Sequence, residues 1–206
     1  MHREPDATLR AVKRLVLLLL VITLPSQALP PSSAKLLLER ARKYLGTPYE
    51  FGGRNRLVSG GRREGIDCQG LVFLAAQALT KCSWKSFSNL NVEQVSRKEL
   101  GAPVEGMAPI ASADLELTKL EAGDSLMLVA TDQNPAEAPI GRIGEQDVWV
   151  WHVGLYAGDG TWVVGDHDAG AVVETDLKAS LAEHADVYSG VFVMRMASAP
   201  KPARCR

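Results

Sequence analysis

Apolar positions recur with two different periods along this chain, and the change of period divides it. Between Ala34 and Leu45 the residues Leu37, Leu38, Ala41, Tyr44 and Leu45 keep helical spacing, with Ser32 or Ser33 placed to cap and Gly46 and Pro48 to stop. A loop holding Gly52-Gly53 and Gly60-Gly61 leads into a second apolar helix, predicted over Cys68–Thr80. From 83 to 122 the pattern is mixed, with a short helix over Val92–Leu100 and a loop over Val104–Ala111. Strand patterns follow: the buried run Ser125–Ala130, then Val148–Ala157, a turn at Gly158-Asp159-Gly160, and a return strand Thr161–Gly165. Ala171–Glu174 reads as a further strand, Asp176 as the cap of a helix to about His184, and Gly190–Met196 as a closing strand. Helices first and antiparallel strands after predict an α+β fold.

The start of the chain reads differently. Arg10, Lys13 and Arg14 precede an apolar run Leu15–Leu24, then Pro25-Ser26-Gln27-Ala28, the layout of an export signal cut after Ala28. The run is far shorter than the roughly 20 residues that span a bilayer; the alternative is an uncleaved anchor. The predicted organisation is a secretory signal over 1–28, one domain over 29–197 and a Pro-containing tail over 198–206, with no membrane span left after signal removal. Removing the signal's net +2 from the formal charge of −1 leaves about −3, which argues against a general nucleic-acid binder. Arg54, Arg56, Arg62 and Arg63 cluster before Cys68, either as a solvated loop or as a patch that draws an anionic substrate to a site mouth. Three cysteines in an exported chain leave one unpaired. The economical pairing is Cys82–Cys205, leaving Cys68 free; the alternative, Cys68 in a bridge, would abolish its nucleophilicity.

Cys68 opens its predicted helix, where unpaired N–H groups and the positive dipole end favour a thiolate. His152 lies in the strand Val148–Ala157 and supplies the partner a thiolate needs. Strand alternation places His152 on one face with Val150, Gly154 and Tyr156, and Trp149, Trp151, Val153 and Leu155 on the other. Gly154 leaves room beside the imidazole. A hairpin centred on Asp159 brings Asp166 opposite His152, close enough to hold the ring; His167 takes its place if Gly165 forms a bulge. A strand histidine alone is more often structural, and the pairing with Cys68 is what points to catalysis.

Leu45-Gly46-Thr47-Pro48-Tyr49-Glu50-Phe51-Gly52-Gly53, Asp67-Cys68-Gln69-Gly70-Leu71-Val72, Ala122-Gly123-Asp124 and His152-Val153-Gly154-Leu155-Tyr156 with Gly158-Asp159-Gly160, in this order, resemble the NlpC/p60 family of cell-wall cysteine peptidases. The resemblance spans about Ala34–Val193 and implies a papain-like α+β fold, the nucleophile helix packed on an antiparallel sheet. It implies hydrolysis of an amide in peptidoglycan stem peptides, often between D-γ-glutamate and a diamino acid, outside the cytoplasm (periplasmic or secreted), with no metal or organic cofactor. Cys68 would be nucleophile and His152 base; Tyr49, Gln69 and Asp67 would face the oxyanion or substrate. The family's third polar residue falls twelve positions after the histidine, where this chain has Val164, and Gln69 replaces a frequent serine. The loop 54–63 and the polar excursion 131–147 should border the cleft. The other readings are a thiol amidase or acyltransferase on a different substrate, and a degenerate, non-catalytic binding domain.

Overall fold

The structure of the protein, a computed structural model, describes residues 32–200 together with 202 and 205. The predicted signal, 1–28, lies outside the described residues. Ser32 caps α1 (Ser33–Ala41), its hydroxyl accepting from the Lys35 amide at 3.2 Å, and buries Leu37, Leu38 and Ala41 against the core. The last predicted turn is wound more tightly, as a 3-10 turn over Arg42–Tyr44, before Gly46 at φ 79° redirects the chain. The α2 helix (Cys68–Thr80) has the predicted bounds, and its run Gly70–Ala76 is buried because it lies between α1 and the sheet. Full burial of each such leucine or phenylalanine stabilises the fold by about 1.5–3 kcal/mol.

The middle of the chain departs from expectation. The helix α3 is Asn91–Ser96, shorter than predicted, and the segment read as loop contributes two short strands, β1 (Ala102–Pro103) and β2 (Ile110–Ala111). Both pair with the closing strand, whose backbone groups supply what a two-residue pattern cannot signal on its own. The remaining strands are β3 (Ser125–Ala130), β4 (Gly141–Ile143), β5 (Gln146–Gly158), β6 (Thr161–Asp166), β7 (Ala171–Asp176) and β8 (Gly190–Arg195); α4 spans Leu177–Glu183 under an Asp176 cap. The antiparallel order is β1-β8-β3-β5-β6-β7, with β4 folded back on β5. One face of the sheet packs on α1 and α2 through Met127, Val153, Leu155 and Val163. The other gathers Leu126, Leu128, Trp162 and Val164 with Leu177 and Leu181 of α4.

One register shift sets the site. Leu128 pairs with His152 but Val129 pairs with Val150, so Trp151 is an extra residue on β5. Alternation breaks there. Val150 therefore lies on the helix-packed face with Val153, and the expectation that it shares a face with His152 is corrected. Cys82 and Cys205 form a disulfide with Cα atoms 5.6 Å apart, and Cys68 is a free thiol.

Candidate active site

Asp67 builds the start of the Cys68 helix. As N-cap, its Oδ1 accepts from the Gly70 amide and its Oδ2 from the Gly52 amide at 2.9 Å, tying the glycine loop to the helix. Arg54 closes the arrangement from inside: its guanidinium lies 2.6 Å from Asp67, donates to the Gly53 carbonyl at 2.9 Å, and stacks over the rings of Phe73 and Trp84. Asp67 thus sits at the cleft wall as the buried partner of Arg54, with both oxygens engaged. Gln69 is held between the same arginine, at 3.1 Å, and the Asn89 carbonyl, at 3.0 Å. On the sheet side Gly165 permits the contact. A methyl group there would lie 3.0 Å from the Cys68 amide nitrogen.

His152 faces the same cavity as Cys68, a cleft of about 550 Å3. The room beside Gly154 is filled by the Trp162 indole, which meets the imidazole edge-on with centroids 5.8 Å apart. Tyr188 covers the imidazole from another side, centroids 6.2 Å apart and ring planes 21° from parallel. Neither imidazole nitrogen has a hydrogen-bond partner among the described residues. The hairpin register runs as expected from Tyr156–Trp162 to Gly154–Val164, but the ladder stops there. Asp166 spends its Oδ1 on the Asp168 and Ala169 amides at 2.8 and 2.9 Å, and acts on His152 through space only, favouring the protonated ring. His167 turns outward to Asp168, at 3.0 Å, and to an edge contact with Tyr49. Val164 is fully buried in hydrocarbon.

Burial decides the charge state of the pair. Surrounding protein pushes the Cys68 thiol up to about 12, and the Asp67 carboxylate beside it adds to this; hydrogen bonds from the Val153 and Gln69 amides and the Arg54 charge oppose it. Burial at the sulfur thus opposes the thiolate that a helix start favours. Burial likewise pushes the His152 imidazole down to about 4, against the pull of Asp166. Both shifts favour the neutral forms, a thiol and an uncharged imidazole. The Tyr49 and Tyr188 hydroxyls, both raised to about 12 by burial and by the nearby Cys68 sulfur, stay protonated as donors.

Sequence reading missed Arg54 as the buried partner of Asp67, and it missed Trp162, Tyr188 and Glu137. Only Arg54 and Glu137 carried a signal, lying in the basic loop and polar excursion singled out as cleft borders. No group of three or more His, Cys, Asp and Glu among the described residues is placed to hold a metal ion. No helix among them is long and apolar enough to cross a membrane.

A cysteine at a helix start, packed on an antiparallel sheet whose central strand carries a histidine, defines a papain-like α+β fold. No protein-family model and no curated protein matches the sequence. Solved structures do match the fold. NlpC2 of Trichomonas vaginalis superposes with a TM-score of 0.51 at 18% identity, covering 82% of this chain and 48% of its own. NlpC1 of the same organism gives 0.50 at 15%, covering 82% and 46%. The peptidoglycan hydrolase RipB of Mycobacterium tuberculosis gives 0.47 at 21%, covering 81% and 65%. The chain has the NlpC/p60 fold and spans less than two thirds of each of these proteins.

Proposed function

We propose that the protein is an exported cysteine amidohydrolase that cuts an amide bond in peptidoglycan stem peptides, of the D-γ-glutamyl–diamino acid type. The observation that carries this reading is the shared cleft: Cys68 and His152 both face it, and the Gln69 and Val153 amides point at the sulfur. In the reaction the Cys68 thiol gives its proton to His152 as its sulfur attacks the amide carbon. The oxygen of the resulting tetrahedral adduct takes its negative charge against the backbone N–H at the helix start and the Tyr49 hydroxyl. His152 then protonates the leaving amine, and a water deprotonated by His152 releases the acyl group from sulfur. With Val164 in the family's third position, ring packing by Trp162 and Tyr188 orients the imidazole, and Asp166 favours its charged form from a distance.

Residues 1–28 act in this reading as the removed signal and 29–197 as the working domain, with Cys205 of the tail bridged to Cys82. The neighbours with the same fold include a peptidoglycan hydrolase, which agrees with a cell-wall substrate and action outside the cytoplasm. The test is digestion of purified muropeptides by residues 29–206, read by liquid chromatography and mass spectrometry. A cleaved amide lost in Cys68→Ala supports the proposal. Intact muropeptides that nevertheless bind the protein support the non-catalytic binding domain instead.

A further inference from the structure

The ionisable groups of the catalytic cleft do not balance. Six face it: Arg54, Arg56, Asp67, Cys68, Glu137 and His152. Arg54 is paired with Asp67 at 2.6 Å, and Arg56 is spent on Glu64, with contacts of 2.7 and 2.9 Å that hold that carboxyl down to about 2. Of the four arginines of the basic loop, the two that face the cleft are thus both paired with carboxylates. Burial favours the uncharged forms of Cys68 and His152. Glu137 is the cleft carboxylate that has no basic side chain as partner among the described residues. It is half-buried, its Oε1 accepts from the Asn91 amide at 3.0 Å and its Oε2 from the Val92 N–H at 3.2 Å, and it forms no ion pair with any described residue.

Glu137 is held at the start of α3, where its carboxylate accepts from the Asn91 side chain and the Val92 N–H, and no basic side chain among the described residues pairs with it. Its carbonyl accepts from the Trp149 indole at 3.1 Å, and the Asp132 carbonyl accepts from the Trp151 indole at 2.9 Å, so two tryptophans of the His152 strand clamp the excursion as a cleft wall. Burial raises the Glu137 carboxyl, against the lowering effect of hydrogen bonds from the Val92 N–H and from the side chain and backbone of Asn91. A cation entering the cleft restores what burial removed. We propose that Glu137 is a specificity-determining residue that binds a primary ammonium group of the substrate peptide within the Cys68 cleft.

The inference rests on the amidase reading for its substrate but not for its test. Cys68 alkylation reads the cleft without any hydrolysis. N-(aminoalkyl)iodoacetamides of graded length are compared with N-alkyl iodoacetamides of matched length on the wild-type protein, Glu137→Gln and Glu137→Asp, with thermal melts to confirm folding. The expected result is a preference of about tenfold or more for one length of cationic reagent, the scale of a charge-assisted hydrogen bond. It should collapse toward unity in Glu137→Gln and survive in part in Glu137→Asp. A wild-type protein with no preference at any length, or a preference unchanged in Glu137→Gln, overturns the assignment. Where muropeptides are cleaved, acetylating either the α-amine or the side-chain amine identifies the source of the ammonium: the matching substrate loses the Glu137-dependent part of kcat/KM. Cleavage with neither acetylation nor Glu137→Gln mattering sinks the specificity claim and leaves the amidase standing; cationic preference without cleavage does the reverse.

Discussion

The Tyr188 ring lies 21° from parallel to the His152 imidazole, 6.2 Å away, while Trp162 meets the same imidazole edge-on. In the proposed reaction these two aromatic contacts would take the orienting part that a hydrogen-bonded third residue plays in a triad. Tyr188→Phe keeps the ring and should leave kcat within a few-fold of wild type. Tyr188→Ala frees the imidazole and should lower kcat by roughly a hundredfold with a smaller change in KM, as expected for misplacement of about an ångström. Steady-state kinetics on a muropeptide separates the two, and equal losses in both variants would assign the effect to the hydroxyl.

His152 predicts an acid instability. Its imidazole sits at about 4 in the folded protein against an ordinary 6.5, so between these values the unfolded chain binds more protons. Stability should fall by up to about 3 kcal/mol as pH drops through this window. In His152→Gln that contribution is absent and the stability profile between pH 7 and 4 should be flatter. Denaturant melts at the two pH values measure it.

The same shifts set reactivity. With the thiol pushed up to about 12, free Cys68 should react with iodoacetamide more slowly at pH 7 than an ordinary cysteine and accelerate into the alkaline range. Amide hydrolysis needs the neutral imidazole, so kcat/KM should hold through 6.5 and decline only toward about 4. An acid limb centred at 6.5 would show that burial does not control this histidine.

Asp67 and Arg54 are coupled. Asp67→Ala removes the helix cap and leaves a buried guanidinium unpaired, an expected loss of about 3–5 kcal/mol. Arg54→Met alone exposes the opposite defect, and the double variant should be less destabilised than the two single losses added together. A double-mutant cycle from urea melts reads the coupling, and strict additivity would contradict it.

Much of this was legible in the chain. The helical spacing that ends at Gly46, the bounds of the Cys68 helix and the strand Ser125–Ala130 follow from periods of 3.6 and 2 in continuous apolar runs. The bulge at Trp151 was not legible, because an extra residue in a long apolar strand leaves no mark on composition, and it moved Val150 to the other face. The strands β1 and β2 were hidden for a different reason, since each gains its identity from β8 and not from its own two residues. At the site, Cys68 and His152 could be read from local context, whereas Tyr188 arrives from 36 residues further along through the packing of a turn before β8. The balance between helix end and burial at Cys68 depends on how much protein surrounds the sulfur, which no spacing encodes.

The central claim is that Cys68 forms the covalent bond to substrate with His152 as its proton carrier. The direct measurement is acid quenching of residues 29–206 during muropeptide turnover, followed by peptide mapping of the protein by mass spectrometry. The predicted result is a stem-peptide acyl group on the Cys68 peptide, released by hydroxylamine, with both adduct and turnover lost in Cys68→Ala. Turnover that continues undiminished in Cys68→Ala would contradict the account.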